Sequence, residues 1–136
     1  MEAGRCIKIF NPHELMPSYG ENSVEVSMKR SNLSVIVAYD GKDGREQQTE
    51  IIFTDVNAFY RSNFPGPGML GITYNTEDKE KISISNLVEY PDSEAALAWT
   101  EYWQKSCGIN RHIKHYMWIF TSENIRLEVF AGGVQI

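Results

Sequence analysis

Residues 111–131 read RHIKHYMWIFTSENIRLEVFA and hold two runs that alternate with the period of two typical of β-strands. The first run has two faces that are both apolar towards its end, one with Ile113, His115, Met117 and Ile119 and the other with Tyr116, Trp118 and Phe120. We therefore predict a central strand that is covered on both sides. After the polar turn at residues 121–124, a second run alternates apolar with mixed side chains, which predicts a partner strand covered mainly on one side. This hairpin is expected to form the spine of a sheet.

Alternating patterns elsewhere in the chain predict further strands, about eight in all. Two of them, at residues 24–29 and 33–39, should pair as a hairpin across a polar turn. The others are expected at residues 6–10, 51–55, 70–74 and 82–88, the last of them ending at Pro91. Residues 56–63 fit either a strand or a single helical turn, and the pattern leaves that choice open.

The segment after Pro91 predicts one amphipathic helix at about residues 93–106. Asp92 and Ser93 can accept hydrogen bonds from the first free amides of a helix, and Gly108 is typical of the position just past a helix C-terminus. Between them lies a broad apolar stripe that should pack on the sheet, formed by Ala95, Ala96, Leu97, Trp99, Tyr102 and Trp103. The fold class expected is therefore α+β, a mainly antiparallel sheet with one helix packed on it.

Length and charge narrow the possible functions. The 136 residues fit a single domain, and no apolar run is long enough for a signal peptide or a membrane span. The formal net charge is −5, from 18 acidic against 13 basic residues, and no basic cluster is present to bind nucleic acid. These features predict a cytoplasmic protein that binds neither nucleic acid nor membrane. Cys6 and Cys107 are expected to be buried, reduced thiols.

Cys107, His112 and His115 form the one cluster of residue types that suggests chemistry. A hydrolase would need a thiol beside a base, but Cys107 follows a helix C-terminus, where the negative potential raises the pKa of a thiol. On a strand, His112 and His115 point to opposite sides, which disfavours a shared metal. We expect His115 to bond a core carboxylate, either Glu128 or Glu89, and we predict neither metal nor cofactor.

Acidic residues gather in two places, a predicted turn and the predicted helix. If they converge on one surface they would attract a basic protein partner, with exposed rings near the rigid bend at residues 64–68 as anchors. The candidate partner-binding residues are Glu77, Asp78, Glu80, Glu94, Glu101, Tyr60 and Phe64. An alternative hypothesis is a β domain that binds a small ligand on a concave face lined by Tyr60, Tyr74 and Tyr116. A second alternative is the hydrolase with Cys107, His112 and His115.

The C-terminal hairpin resembles that of small bacterial immunity proteins encoded in polymorphic-toxin loci. The shared features are the His-Tyr start and the aromatic-aliphatic alternation of residues 115–120, the closing LEVFA of residues 127–131, and the strand pattern of residues 52–56. The resemblance implies a cytoplasmic inhibitor that binds a cognate toxin domain in a fixed ratio and has no chemistry of its own. This agrees with the independent interpretation of the chain as an acidic protein-binding domain.

Overall fold

The computed structural model describes residues 1–10, 20–78 and 86–136. Within these residues the chain forms nine strands, one α-helix and a short 3-10 helix at Thr76–Asp78. In chain order the elements are β1 (Glu2–Gly4), β2 (Ile7–Phe10), β3 (Ser23–Lys29), β4 (Asn32–Asp40), β5 (Glu46–Asn63), β6 (Thr73–Tyr74), β7 (Leu87–Tyr90), α1 (Glu94–Cys107), β8 (Lys114–Phe120) and β9 (Ile125–Gln135). The α+β class predicted from the sequence is confirmed.

Seven strands form one antiparallel sheet in the order β2-β7-β8-β9-β5-β4-β3. Strand β9 is the middle strand and β8 is its hairpin partner, so the predicted spine of the sheet is confirmed. The hairpin of β3 and β4 also forms as predicted. Strands β1 and β6 pair in parallel as a separate two-stranded sheet.

Strand β9 differs from the prediction of a strand covered mainly on one side. Residues 127–131 are all buried, because α1 covers the face that carries Phe130 while the opposite face, with Leu127 and Val129, lies in the larger core. Strand β8 is buried from His115 to Phe120, as its two apolar faces predict. Coverage of both strands on both faces makes this hairpin the most buried part of the described chain.

Strand β5 resolves the open choice at residues 56–63, which continue the strand as far as Asn63. The ladder to β9 shifts between Val56 and Ala58, beside Asp55, which has a φ of 50°. This β-bulge bends the strand. Its first half pairs with β4 and its second half extends along β9, so one long strand joins the two halves of the sheet.

Two other predicted strands differ from the structure. At residues 70–74 only Thr73–Tyr74 are in a strand, because Gly71 has a φ of 82° in a turn that leaves Leu70 fully exposed. The strand predicted at residues 82–88 lies partly outside the described residues, and its described part is Leu87–Tyr90. At the N-terminus, β1 precedes the predicted first strand.

The two faces of the large sheet bury different clusters. Across one face the rings of Phe53 on β5 and Tyr116 on β8 lie 5.4 Å apart although β9 separates the two strands, so the sheet is strongly curved. The Glu21 carboxylate, just before edge strand β3, accepts from the amides of Ser122 and Glu123 in the β8–β9 turn at 2.8 and 3.0 Å. On the other face α1 packs through Ala95, Ala96, Trp99 and Trp103 against Ile113 and Phe130.

The helix begins and ends as the sequence predicts. Ser93 is its N-cap and accepts from the amide of Ala96, and Gly108, at a φ of 65°, is its C-cap. Cys6 is buried as expected, but the prediction of a buried Cys107 is wrong because the last helical turn is exposed to solvent. No disulfide joins these two cysteines, both of which the structure describes.

Candidate functional site

A chain of buried hydrogen bonds runs from the N-terminus of α1 across the face of the large sheet that α1 covers. Ser93 Oγ lies 2.8 Å from His115 Nδ1, and His115 Nε2 lies 2.7 Å from Glu128 Oε2. Tyr74 donates its hydroxyl proton to the other oxygen of Glu128, and the amide of Met69 donates to the Tyr74 hydroxyl at 3.3 Å. Four side chains from β6, α1, β8 and β9 are thus joined in one network.

The strand register explains why Glu128, and not Glu89, is the partner of His115. His115 pairs with Phe130, so Glu128 is a diagonal neighbour two residues away on the same face of the sheet. Glu89 pairs with Tyr116, whose side chain points to the opposite face. The prediction that His115 bonds a core carboxylate is confirmed, and the register selects between the two candidates.

One arrangement of protons that satisfies these contacts has a neutral imidazole with its proton on Nε2. The amide of Ala96 donates to Ser93 Oγ at 3.1 Å, so the hydroxyl proton of Ser93 is available to His115 Nδ1. Nε2 then carries the imidazole proton and donates it to Glu128. Glu128 accepts a second hydrogen bond from Tyr74, which compensates the burial of its charge.

The surroundings of His115 hold its ring in place and keep out water. The imidazole stacks on Phe130 at 4.4 Å between ring centroids and lies 4.8 Å from the ring of Tyr90. His115 is 0% exposed and Glu128 is 1% exposed. Burial raises the pKa of Tyr74, and the negative charge of Glu128 raises it further, so Tyr74 stays a neutral donor. The His115 and Glu128 side chains are therefore shielded from solvent, while Tyr74 at one end of the network is half-buried.

A cavity of about 300 Å³ adjoins Ser93 at the N-terminus of α1. Apolar walls come from Pro91, Ala96, Leu97 and Ile113, and polar groups from Asp92, Thr100, His112 and Lys114. A volume of this size lies at the lower limit of small-molecule pockets. Ser93 thus belongs both to the buried hydrogen-bond network and to the lining of the cavity.

The outer face of α1 is a second surface with functional character. Leu97 is 58% exposed and Tyr102 is 61% exposed. A shallow groove beside Tyr102 is lined by Met1, Ala95, Ala98, Trp99 and Tyr102. Glu94 and Glu101 are exposed on the same helix, seven residues apart, so two turns place them on one side. We call this set the helix surface, with four exposed residues, Glu94, Leu97, Glu101 and Tyr102, and two half-buried ones, Ala98 and Trp99.

The acidic candidates of the predicted turn have different environments. Glu77 is exposed and bonds Arg5 at 3.0 Å. Asp78 was expected on a solvated turn, but it is 0% exposed and its carboxylate accepts from the amide of Cys6 at 2.8 Å. The prediction of Asp78 as a partner-binding residue is therefore wrong, because it is used inside the fold. Glu80 lies outside the described residues.

The aromatic candidates do not form one concave face. Tyr60 is exposed next to Phe130, and Phe64 is partly buried. Tyr60 and Tyr74 lie on the Glu128 side of the sheet, whereas Tyr116 is buried in the core on the opposite side. The small-ligand site of Tyr60, Tyr74 and Tyr116 is thus not assembled. Tyr116 follows His115 on β8, and because successive strand residues point to opposite faces, its ring lies on the side away from Tyr60 and Tyr74.

Cys107, His112 and His115 have unlike environments as well. Cys107 and His112 are exposed, whereas the two ring nitrogens of His115 are engaged by Ser93 and Glu128. Among the described residues no group of three or more His, Cys, Asp or Glu side chains is placed to hold a metal ion. From the sequence, Ser93 was identified only as a helix cap. Its contact with His115 could not be predicted, because the two residues are 22 apart in the chain and no local pattern links them.

Comparison with known proteins adds no relative. No family model, curated protein or solved structure matches the chain. In the part of the chain that the structure describes, no helix is both long and apolar enough to cross a membrane.

Proposed function

We propose that this chain is a cytoplasmic protein-binding domain, most concretely an immunity-type inhibitor that neutralises a basic toxin domain by covering it. The observation that carries the proposal is the helix surface, where Leu97 and Tyr102 are exposed on either side of the carboxylates of Glu94 and Glu101. The resemblance of the C-terminal hairpin to immunity proteins supports the same function. Binding of this kind requires no reaction and no cofactor.

The helix surface combines large exposed apolar side chains with two carboxylates, a mixture that suits a protein interface. Tyrosine and tryptophan are frequent anchors in interfaces because they bury a large area at a small cost in side-chain entropy. The ring of Trp99 meets that of Tyr102 edge to face at 6.2 Å, which restricts Tyr102 before a partner arrives. An anchor that is restricted in advance loses less entropy on binding.

The charge of the chain indicates which partner the helix surface suits. Glu94 and Glu101 add to a formal net charge of −5, and Lys105 is the one basic side chain in the last turn of α1. Carboxylates on this surface speed association with a basic partner and disfavour acidic partners. The active sites of toxins that act on nucleic acid are basic, because they hold phosphate. A toxin domain with a basic active site is therefore the partner class that we propose.

Co-expression with candidate toxin domains that have a basic active site tests the proposal. The wild-type chain is expected to restore growth and to form a one-to-one complex with one of them in native mass spectrometry. Tyr102→Ala and Glu101→Lys are each expected to weaken the complex about tenfold or more, since truncating a central anchor costs more than 1 kcal/mol.

The matched control is Glu25→Lys on edge strand β3, where an exposed carboxylate changes by the same two charges far along the sheet from α1. This variant should bind as tightly as the wild type. Binding that survives Tyr102→Ala and Glu101→Lys but is lost in Glu25→Lys would move the interface to the other edge of the sheet. A wild-type chain that forms no complex with any of these toxin domains contradicts the proposed function.

A further inference from the structure

We infer that Ser93 is a nucleophile that accepts an acyl group from a small ester bound in the adjoining cavity, with His115 as its base. This inference goes beyond the proposed binding function, which uses the helix surface and requires no reaction. It rests on the geometry of three side chains and on the cavity that gives one of them access to solvent.

Ser93, His115 and Glu128 are arranged as a hydroxyl, a base and a carboxylate that orients the base. The contact distances are 2.8 Å from Ser93 Oγ to Nδ1 and 2.7 Å from Nε2 to Glu128. Both lie within the range in which a hydroxyl proton passes to an imidazole that a carboxylate holds in one tautomer. Here the serine is on Nδ1 and the carboxylate is on Nε2. The two nitrogens are conjugated, so either can act as the base.

The cavity places Ser93 at the boundary between this relay and the solvent. Ser93 is 4% exposed and lines the cavity, whereas His115 behind it is fully buried. A volume of about 300 Å³ with walls from Ala96, Leu97 and Ile113 suits a short acyl chain. The class of substrate that we infer is therefore a small ester.

The first turn of α1 places the positive end of the helix dipole next to Ser93. Within the described residues the amides of Glu94 and Ala95 make no hydrogen bond, as expected for the first two positions of a helix. They follow Ser93 directly and carry the positive end of the helix dipole. Neither residue lines the cavity, so they favour negative charge on the bound ester through the helix dipole and not as direct donors.

The reaction is balanced within these groups and the ester. Ser93 Oγ forms a bond to the ester carbonyl carbon as its proton passes to His115 Nδ1, and Glu128 stabilises the imidazolium through Nε2. The intermediate collapses with cleavage of the bond to the leaving alcohol, which takes the proton from Nδ1. The product is an acyl ester of Ser93, and attack by water through the same base releases the acid and restores the hydroxyl. Ser93 and His115 are catalytic residues in this scheme, and Glu128 is a positioning residue.

Acetylation by p-nitrophenyl acetate tests the inference on the full chain. The nitrophenolate burst and the mass of the intact protein measure the reaction, and fragmentation of the acetylated peptide locates the group. We expect one acetyl group on Ser93. The variant Ser93→Asn keeps a side chain that caps the helix but removes the nucleophile, and its burst should fall about 100-fold. Ser106→Ala, at an exposed serine in the last turn of α1, is the matched control and should react as the wild type does.

The variant Glu128→Gln tests whether Glu128 orients His115 for the reaction or only stabilises the fold. The acylation rate constant should fall about tenfold, while the ester concentration at half saturation stays unchanged because Glu128 does not line the cavity. Circular dichroism confirms that each variant is folded. Absence of an acetyl group on Ser93 in the wild type, or an equal burst in Ser93→Asn, overturns the inference and leaves Ser93 as a helix cap. An unchanged rate in Glu128→Gln overturns the role of the carboxylate.

Discussion

The N-terminus of α1 and the outer face of the same helix have opposite environments. At the N-terminus, Ser93 is joined to His115 and through it to Glu128, all three buried. Along the outer face, Leu97 and Tyr102 are exposed although both are large and apolar. The first region uses polar groups inside the protein, and the second places apolar groups in water.

The two regions should affect different free energies, that of unfolding for the buried network and that of association for the helix surface. A buried polar network stabilises the fold only while every partner is present, since one missing partner leaves another group unsatisfied. Exposed side chains on a helix contribute little to stability. Substitutions in the network should therefore change unfolding, and substitutions on the helix surface should change association alone.

The largest effect is expected from His115→Ala. Removing the imidazole leaves the Glu128 carboxylate buried with Tyr74 as its remaining hydrogen-bond donor, which should lower the free energy of unfolding by about 3–5 kcal/mol. Urea denaturation measures the loss. His112→Ala removes an exposed histidine and is the matched control, with an expected change within about 0.5 kcal/mol. Equal losses in the two variants would contradict the buried network.

Alkaline pH should destabilise the protein through its buried tyrosines. Burial, and less strongly the charge of Glu89, raises the pKa of Tyr116 to about 12 from an ordinary value of 10.0. The folded state therefore keeps this proton while the unfolded state loses it. The contribution of Tyr116 to the free energy of unfolding is complete below pH 10 and is lost as the pH rises from about 10 to about 12. Each such tyrosine should lower the folding equilibrium constant about tenfold per pH unit in this window. Unfolding midpoints measured at several pH values should show a shallower decline in Tyr116→Phe.

A neighbouring pair of carboxylates provides the next contrast. Asp78→Ala removes the acceptor of the buried Cys6 amide, and the free energy of unfolding should fall by about 1–3 kcal/mol. Glu77→Ala breaks an exposed ion pair with Arg5 and should change it by less than about 0.5 kcal/mol. Thermal unfolding of both variants checks the difference. A larger loss in Glu77→Ala would show that burial does not set the importance of these side chains.

The cap itself should have a moderate effect. Ser93→Ala removes the acceptor of the Ala96 amide and is expected to cost about 1 kcal/mol, whereas Ser93→Asn should cost only a few tenths. Chemical denaturation of the two variants separates capping from the contact with His115. If Asn is as costly as Ala, the contact with His115 contributes more to stability than the cap does.

The smallest effect on stability is expected on the helix surface. Glu101→Lys and Tyr102→Ala should each leave the unfolding midpoint nearly unchanged, within about 0.5 kcal/mol, because both side chains are exposed. The same variants are those expected to weaken the toxin complex. Differential scanning calorimetry checks that any loss of binding is not a loss of fold.

Sequence reasoning predicted the elements whose patterns are local. The alternation in β8, the cap at Ser93 and Gly108 after α1 each depend on neighbouring residues, and each prediction is confirmed. The continuation of β5 to Asn63 could not be predicted, because it includes a bulge between Val56 and Ala58 and the sequence there carries no glycine or proline. The strand expected around Leu70 failed because one glycine at positive φ turned the chain.

The candidate site shows the same limit. The partner of His115 could be narrowed to two carboxylates from the hairpin pattern, because strands that are adjacent in sequence have a restricted register. The contacts of His115 with Ser93, and of Glu128 with Tyr74, join elements far apart in the chain, and only the packing of α1 and β6 on the sheet creates them. Asp78 likewise resembles a solvated turn residue until its bond to Cys6 is seen.

The protonation of His115 tests the account most directly, because both the stability of the network and the reactivity of Ser93 depend on it. A long-range proton–nitrogen NMR spectrum of the imidazole distinguishes the tautomers. The account predicts a proton on Nε2, bonded to Glu128, and a bare Nδ1 that accepts from Ser93 and whose nitrogen shift changes in Ser93→Asn. A proton on Nδ1, alone or together with one on Nε2, would contradict it, because Ser93 would then have no base.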